Sequence, residues 1–280
     1  MKKIGMLTVA VAFAGLWTGC SGDARHGEAL LAHAQASYEA GNYNLAKLQI
    51  DSIRTLYPKA FDARKAAIKL MQQVELKEQE KSLVYLDSMM VVKQASLDSI
   101  KGEFVFEKDT AYQDMGNYFY PTQTVEKNIG RSFLRAQVNE DGEMSLTSIY
   151  SGPANIHHTS VKVSVGDNFA ETPTSPDIYE TTDLGQHIEK ADYKLGADGG
   201  VVAFIASHAD SKNIRLEFRG DRNYATLMRP DDVKAVAAVG NLARILGAIK
   251  EIKDDKEKAQ LKIRFVNRQI EQERQLKNTK

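Results

Sequence analysis

Few residues in this 280-residue chain could do chemistry, and their spacing narrows what that chemistry would be. His157-His158 is the most suggestive pair, because imidazole serves both as a metal ligand and as a general acid or base. On a strand, neighbouring side chains point to opposite faces, so one metal would need His187, Glu189 or His208 beside one of the two histidines. The expectation is a pair of exposed strand-end histidines. HExxH, CxxC and EF-hand spacings are absent, as is GxSxG. The only thiol is Cys20, and Ser151-Gly152-Pro153 reads as a turn. Gly-rich 196–200 is followed by neither Lys-Ser/Thr nor a helical pattern, so a phosphate cradle is not expected. No catalytic residue, metal or cofactor is assigned. Tyr112, Tyr118 and Tyr120 stand beside Gln113, Asp114 and Asn117, and rings beside amides can stack on a sugar or a partner peptide. In an extended segment Tyr118 and Tyr120 would share a face with Phe119 opposite. The three tyrosines are the candidate ligand-binding residues, with a core-and-rim role as the alternative.

The elements that would position these groups begin with a leader. Lys2 and Lys3 precede an apolar run from Ile4 to Leu16, which falls short of the roughly 20 residues a membrane-spanning helix needs. Thr18-Gly19-Cys20-Ser21 follows, and the whole resembles a bacterial lipobox, departing from it at Trp17, where an aliphatic residue is usual. The resemblance implies cleavage after residue 19 and lipidation of Cys20, whose two or three acyl chains would hold the protein on a membrane. No second cysteine exists for an intramolecular disulfide. Residues 20–27 are expected to be a lipidated tether. They lack an acidic run, which favours an outer-membrane site facing the periplasm.

Lys and Arg total 37, as do Asp and Glu; loss of residues 1–19 removes two lysines and leaves a charge of about −2. Such a balance argues against a nucleic-acid partner or a polybasic membrane patch.

From Glu28 the apolar residues Leu30, Leu31, Ala34 and Tyr38 recur at helical spacing. Gly41-Asn42 interrupts, and Tyr43, Ala46, Ile50, Ile53 and Leu56 form a second helix closed by Pro58. Over about 32 residues this hairpin resembles one tetratricopeptide repeat. A lone repeat cannot bury its faces, so it must pack on something else.

Residues 59–101 contain neither Gly nor Pro and would make a helix about 65 Å long. Leu76, Gln79, Leu83, Leu86, Met90, Lys93, Leu97 and Ile100 recur in it at spacings of three and four. A second long helix opens at Pro230-Asp231-Asp232 and repeats the rhythm from Ala235 through Leu242, Ile249 and Val266 to Ile270, the mark of a coiled-coil seam. The expectation is antiparallel pairing of 230–280 with 59–101, with Lys93 opposite Gly240 and Leu86 opposite Leu246; self-pairing in a homo-oligomer is the alternative. Residues 102–229 read as a β-rich domain of at least seven strands, among them 104–106, 132–138, 144–150, 161–165, 201–207, 214–218 and 224–228. Loop 170–178 would be the longest irregular stretch.

The fold class expected is thus α+β: a helical hairpin (28–101, with the first long helix) and an antiparallel helical pair flanking an antiparallel β-sandwich-like domain. The function expected is a lipid-anchored, non-enzymatic envelope protein that carries the β-domain on a helical stalk and binds or scaffolds an envelope protein or glycan. The competing reading is an envelope-polymer hydrolase using His157 or His187 with Asp167 or Glu189.

Overall fold

A computed structural model describes residues 19–183, 185–194 and 196–278. Residues 1–18 of the expected signal peptide lie outside the described residues. The chain divides into two compact units, Met1–Tyr85 with Lys256–Lys280, and Leu86–Asp255.

The first unit is helical. Helices α1 (Gly19–Glu39) and α2 (Tyr43–Leu56) form the hairpin, followed by the start of α3 (Phe61–Ile100). Gly41 takes a positive φ of 74° at the turn, which glycine adopts without steric cost. Ala34, Ala46, Ile50 and Ile53 are buried with Ala63, Ala67, Leu70 and Val74 of α3, so the lone repeat-like hairpin is covered by the next helix. Lys47 pairs with Glu78 at 2.6 Å across that contact. The expected tether differs: residues 21–27 continue α1. Gly27 lies so close to α3 that a Cβ there would sit 2.6 Å from the Ala60 Cβ, and His26 stacks on Tyr57. The last part of α5 (Pro230–Asn278) returns antiparallel to α3, with Gln72 bonded to Glu273 at 2.8 Å and Glu75 paired with Lys262 at 2.9 Å.

The second unit holds two antiparallel sheets. Strands β1 (Val105–Glu107), β2 (Asn117–Phe119), β3 (Phe133–Asn139), β4 (Met144–Gly152), β7 (Asp177–Asp183) and β8 (Gln186–Tyr193) form one, in the order β1-β2-β3-β4-β8-β7. Strands β5 (Ser160–Val165), β6 (Asn168–Glu171), β9 (Arg215–Arg219) and β10 (Tyr224–Leu227) form the other, in the order β10-β9-β5-β6. Alternation decides the faces: Leu134, Ala136, Val138, Leu146 and Tyr150 turn inward, and Val161, Val163, Leu216 and Phe218 meet them from the second sheet. Val233, Val236, Val239, Leu242 and Leu246 of α5 and Leu97 of α3 complete this core.

Residues 201–207 correct the sequence reading: they form a helix, α4 (Val201–Ser207), and not a strand. Asp198 bonds the Val202 N–H at 2.7 Å, and Val201 and Ile205, four apart, face the core. The glycine-rich stretch does therefore lead into a helix, but its own aspartate takes the open N–H that an anion would need. The irregular part of 170–178 shrinks to 172–176, since β6 and β7 occupy its ends. Along α5, Ala235, Leu242, Ile245, Ile249, Ile252, Ala259 and Val266 are buried, with Leu242, Ile245 and Ile249 in the core shared with the sheets. Gly240, however, faces α4: a Cβ there would lie 2.8 Å from Val202 Cγ1, so its bare side accommodates valine and not the Lys93 stem.

Candidate functional site

The six-stranded sheet and the segment entering β5 build the most organised polar cluster of the second unit. Glu189 of β8 and Ser148 of β4 occupy inward positions beside Ala191 and Leu146. His158 precedes β5. All three are fully buried. His158 Nε2 lies 2.9 Å from Ser148 Oγ, and its Nδ1 lies 2.9 Å from Glu189 Oε2. This is the order of a nucleophile, base and orienting acid.

Two features make it a fastening. Ser148 Oγ has no exposed surface, with Phe218 edge-on to the His158 ring and Tyr150 beside it, so a substrate carbonyl cannot reach it. The Glu189 carboxylate is also saturated. It accepts the N–H of Ile156 (2.6 Å) and of His157 (3.0 Å) on Oε1, and the N–H (2.9 Å) and Nδ1–H of His158 on Oε2. Three successive amides converge because His157 holds φ at 51°, the one non-glycine residue with positive φ among the described residues. The result is a backbone nest around an anion. Gly220 is required behind it, since a Cβ there would lie 2.3 Å from the Ile156 carbonyl oxygen. Burial pushes Glu189 toward the neutral acid, but the hydrogen bonds from His158, His157 and Ile156 outweigh it and hold the carboxyl below the usual glutamate range.

His157, Glu180 and Glu189 present ligand atoms within 4.8 Å of one another, the only such cluster among the described residues. The donor set does not suit a metal, because both Glu189 oxygens are already taken and His157 Nδ1 faces Glu180 at 2.8 Å. The Glu180 hydrogen bond and charge raise His157 above the usual histidine value.

The other expected residues scatter. His187 meets Thr182 (3.3 Å) at the sheet edge, Asp167 sits in the exposed β5–β6 turn, and His208 stacks on Phe204 at the end of α4. The expectation of two exposed strand-end histidines fails for His158, which is buried. Ser148 and Glu189 were not paired by any spacing; the one sequence signal was a serine in the inward phase of an otherwise apolar alternation.

Of the three candidate tyrosines, Tyr112 is 89% exposed, whereas Tyr118 is buried against Phe106. Tyr120 is half-buried, edge-on to Phe104 with Lys234 over its ring. Tyr118 therefore does not offer the open stacking face expected of it. The loop carrying Tyr112 instead borders a cleft of about 620 Å³ on the outer side of β1, β2 and β3, lined by Glu107, Asp109, Gln113, Asn117 and Gln137 among others. No family model matches the chain, and neither characterised proteins nor solved structures give a match.

Proposed function

We propose that this chain is a lipid-anchored, non-catalytic binding or scaffolding protein of a bacterial envelope. Cys20 would fix it to the outer membrane, facing the periplasm, and the β-domain would bind an envelope glycan or protein. The observation that carries this reading is the sealed Ser148–His158–Glu189 relay: its nucleophile-base-acid geometry is spent on joining the two sheets. Among the described residues no helix is long and apolar enough to cross a membrane. Against the hydrolase reading, Glu189 already accepts four hydrogen bonds, His187 bonds Thr182 at the sheet edge, Asp167 sits in the β5–β6 turn, and His157 is engaged with Glu180.

The test is metabolic labelling with a palmitate analogue and fractionation of the full chain and of Cys20→Ala, with crosslinking in intact cells to recover partners. Label on the native chain only is expected. An unlabelled native chain, or a Cys20→Ala variant that still takes the label, would overturn the anchor.

A further inference from the structure

Resting on the binding reading above, we propose that the cleft between loop 108–116 and the outer face of β1, β2 and β3 is a saccharide site for a neutral oligosaccharide. The register sets its floor. Glu107, Asn117 and Asn139 stand opposite one another across three strands, and Val105, Phe119 and Gln137 form the next rung on the same face. Among the described residues the side chains of Glu107, Asn117 and Gln137 have no hydrogen-bond or ion-pair partner, and neither does the Gln113 amide nitrogen. Planar amides with donor and acceptor side by side, next to carboxylates that accept from two hydroxyls, are the groups that read the vicinal hydroxyls of a sugar.

The remaining lining decides the ligand's charge and class. Lys108 spends its ammonium on the Asp114 carbonyl (2.6 Å) and on Glu140 (3.7 Å). The cleft therefore shows two carboxylates, Glu107 and Asp109, against one lining cation that is already engaged, which disfavours phosphates and acidic sugars. Phe119, the one apolar lining residue, is 1% exposed, so the cleft lacks the side-chain pocket that a bound peptide would fill. Arg135 stacks on that ring at 5.2 Å, which covers it from the outer side.

The loop is ordered before any ligand arrives. The Gln113 N–H donates to the Asp109 carbonyl at 2.8 Å, the Ala111 N–H to Asp109 Oδ1 at 3.1 Å, and the Asp109 N–H to Gln113 Oε1 at 3.2 Å. Its far end is held by Gly116, whose N–H donates to Glu140 at 2.9 Å. A preformed site loses less on binding. Tyr112 sits within this self-bonded turn with its ring open to solvent, available to stack on a sugar face.

Calorimetry on the full chain in lipid nanodiscs tests the site. The probes are neutral trisaccharides built from glucose, galactose, mannose and N-acetylglucosamine, with a galacturonate trisaccharide as the acidic counterpart. A neutral trisaccharide is expected to bind. Asn117→Ala and Tyr112→Ala should each weaken it about tenfold, the equivalent of about 1.4 kcal/mol. Gln137→Glu, which keeps the side chain's shape, should do the same, and Thr181→Ala on the opposite sheet edge should leave it unchanged. Binding by none of the neutral probes, preference for the acidic one, or affinity indifferent to both Asn117→Ala and Gln137→Glu would overturn the proposal. Loss of binding with labelling at Cys20 intact sinks this site alone; loss of labelling sinks the anchor. Release of reducing ends would refute the non-catalytic reading and leave the saccharide site standing.

Discussion

Glu189→Gln is the sharpest perturbation of the core, because an amide has the carboxylate's shape but not its four acceptor positions. The glutamine oxygen can keep the Ile156 and His157 N–H groups. Its NH2 then meets His158, where the ring can change tautomer, accept at Nδ1 and donate from Nε2 to Ser148. The His158 N–H is left without a partner, at about 1–3 kcal/mol, and the two retained bonds lose charge assistance, at roughly 1 kcal/mol together. The expected cost is about 2–4 kcal/mol, a large share of a typical domain stability of about 5–15 kcal/mol. Hydrogen exchange over 155–165 and 186–193 along a urea series measures it in the unit concerned. In the native protein, Glu189's contribution is present above its unfolded value near 4.5 and is lost as pH falls through its lowered folded value; the variant should lose that acid dependence. A loss below about 1 kcal/mol, or an unchanged acid limb, would refute the saturated-nest account.

Two further outcomes follow from the geometry. The His157–Glu180 pair should contribute fully below His157's unfolded value near 6.5 and fade as pH rises through its raised folded value; the protection of β7 amides, taken relative to their intrinsic exchange rate at each pH, should fall over that window in the native chain and stay level in His157→Ala. Gly142→Ala should destabilise the second unit by about 2–4 kcal/mol in a thermal melt, since φ is 84° and the new Cβ would lie 2.2 Å from the Gly247 nitrogen.

The long helices and the hairpin were legible because apolar spacing and Gly41 or Pro230 mark them locally. So were β3, β4, β5 and β9, where alternation is clean. Strand β7 was not, because an edge strand exposed on both faces, Asp-Ile-Tyr-Glu-Thr-Thr-Asp, has no alternation to read. Strand β8 hid because its inward phase carries Glu189, a charge that only tertiary hydrogen bonds make tolerable. Val201–Ser207 was read as a strand because the six-residue apolar run Val201–Ala206 fits either period; Asp198 and the packing of Val201 and Ile205 decide for helix. Of the cleft, the sequence showed the loop's amides and Tyr112. It did not show that Tyr118 turns inward, since three aromatic residues in a row leave the inward phase open.

Hairpin ends are ordinarily where a chain accepts inserted sequence, but the β3–β4 end is not spare. Gly142 rests on the backbone of Gly247 in α5, and the Ala243 carbonyl oxygen would lie 2.8 Å from any added Cβ. Drift in loop length there would push a strand pair off its seat, so an epitope tag belongs at Gly166–Asp167, where a Cβ built on the glycine would meet nothing within 4 Å. The constraint runs one way: Gly142 meets the backbone of Gly247, which any residue there would present, whereas a Cβ on Gly247 itself meets nothing within 4 Å.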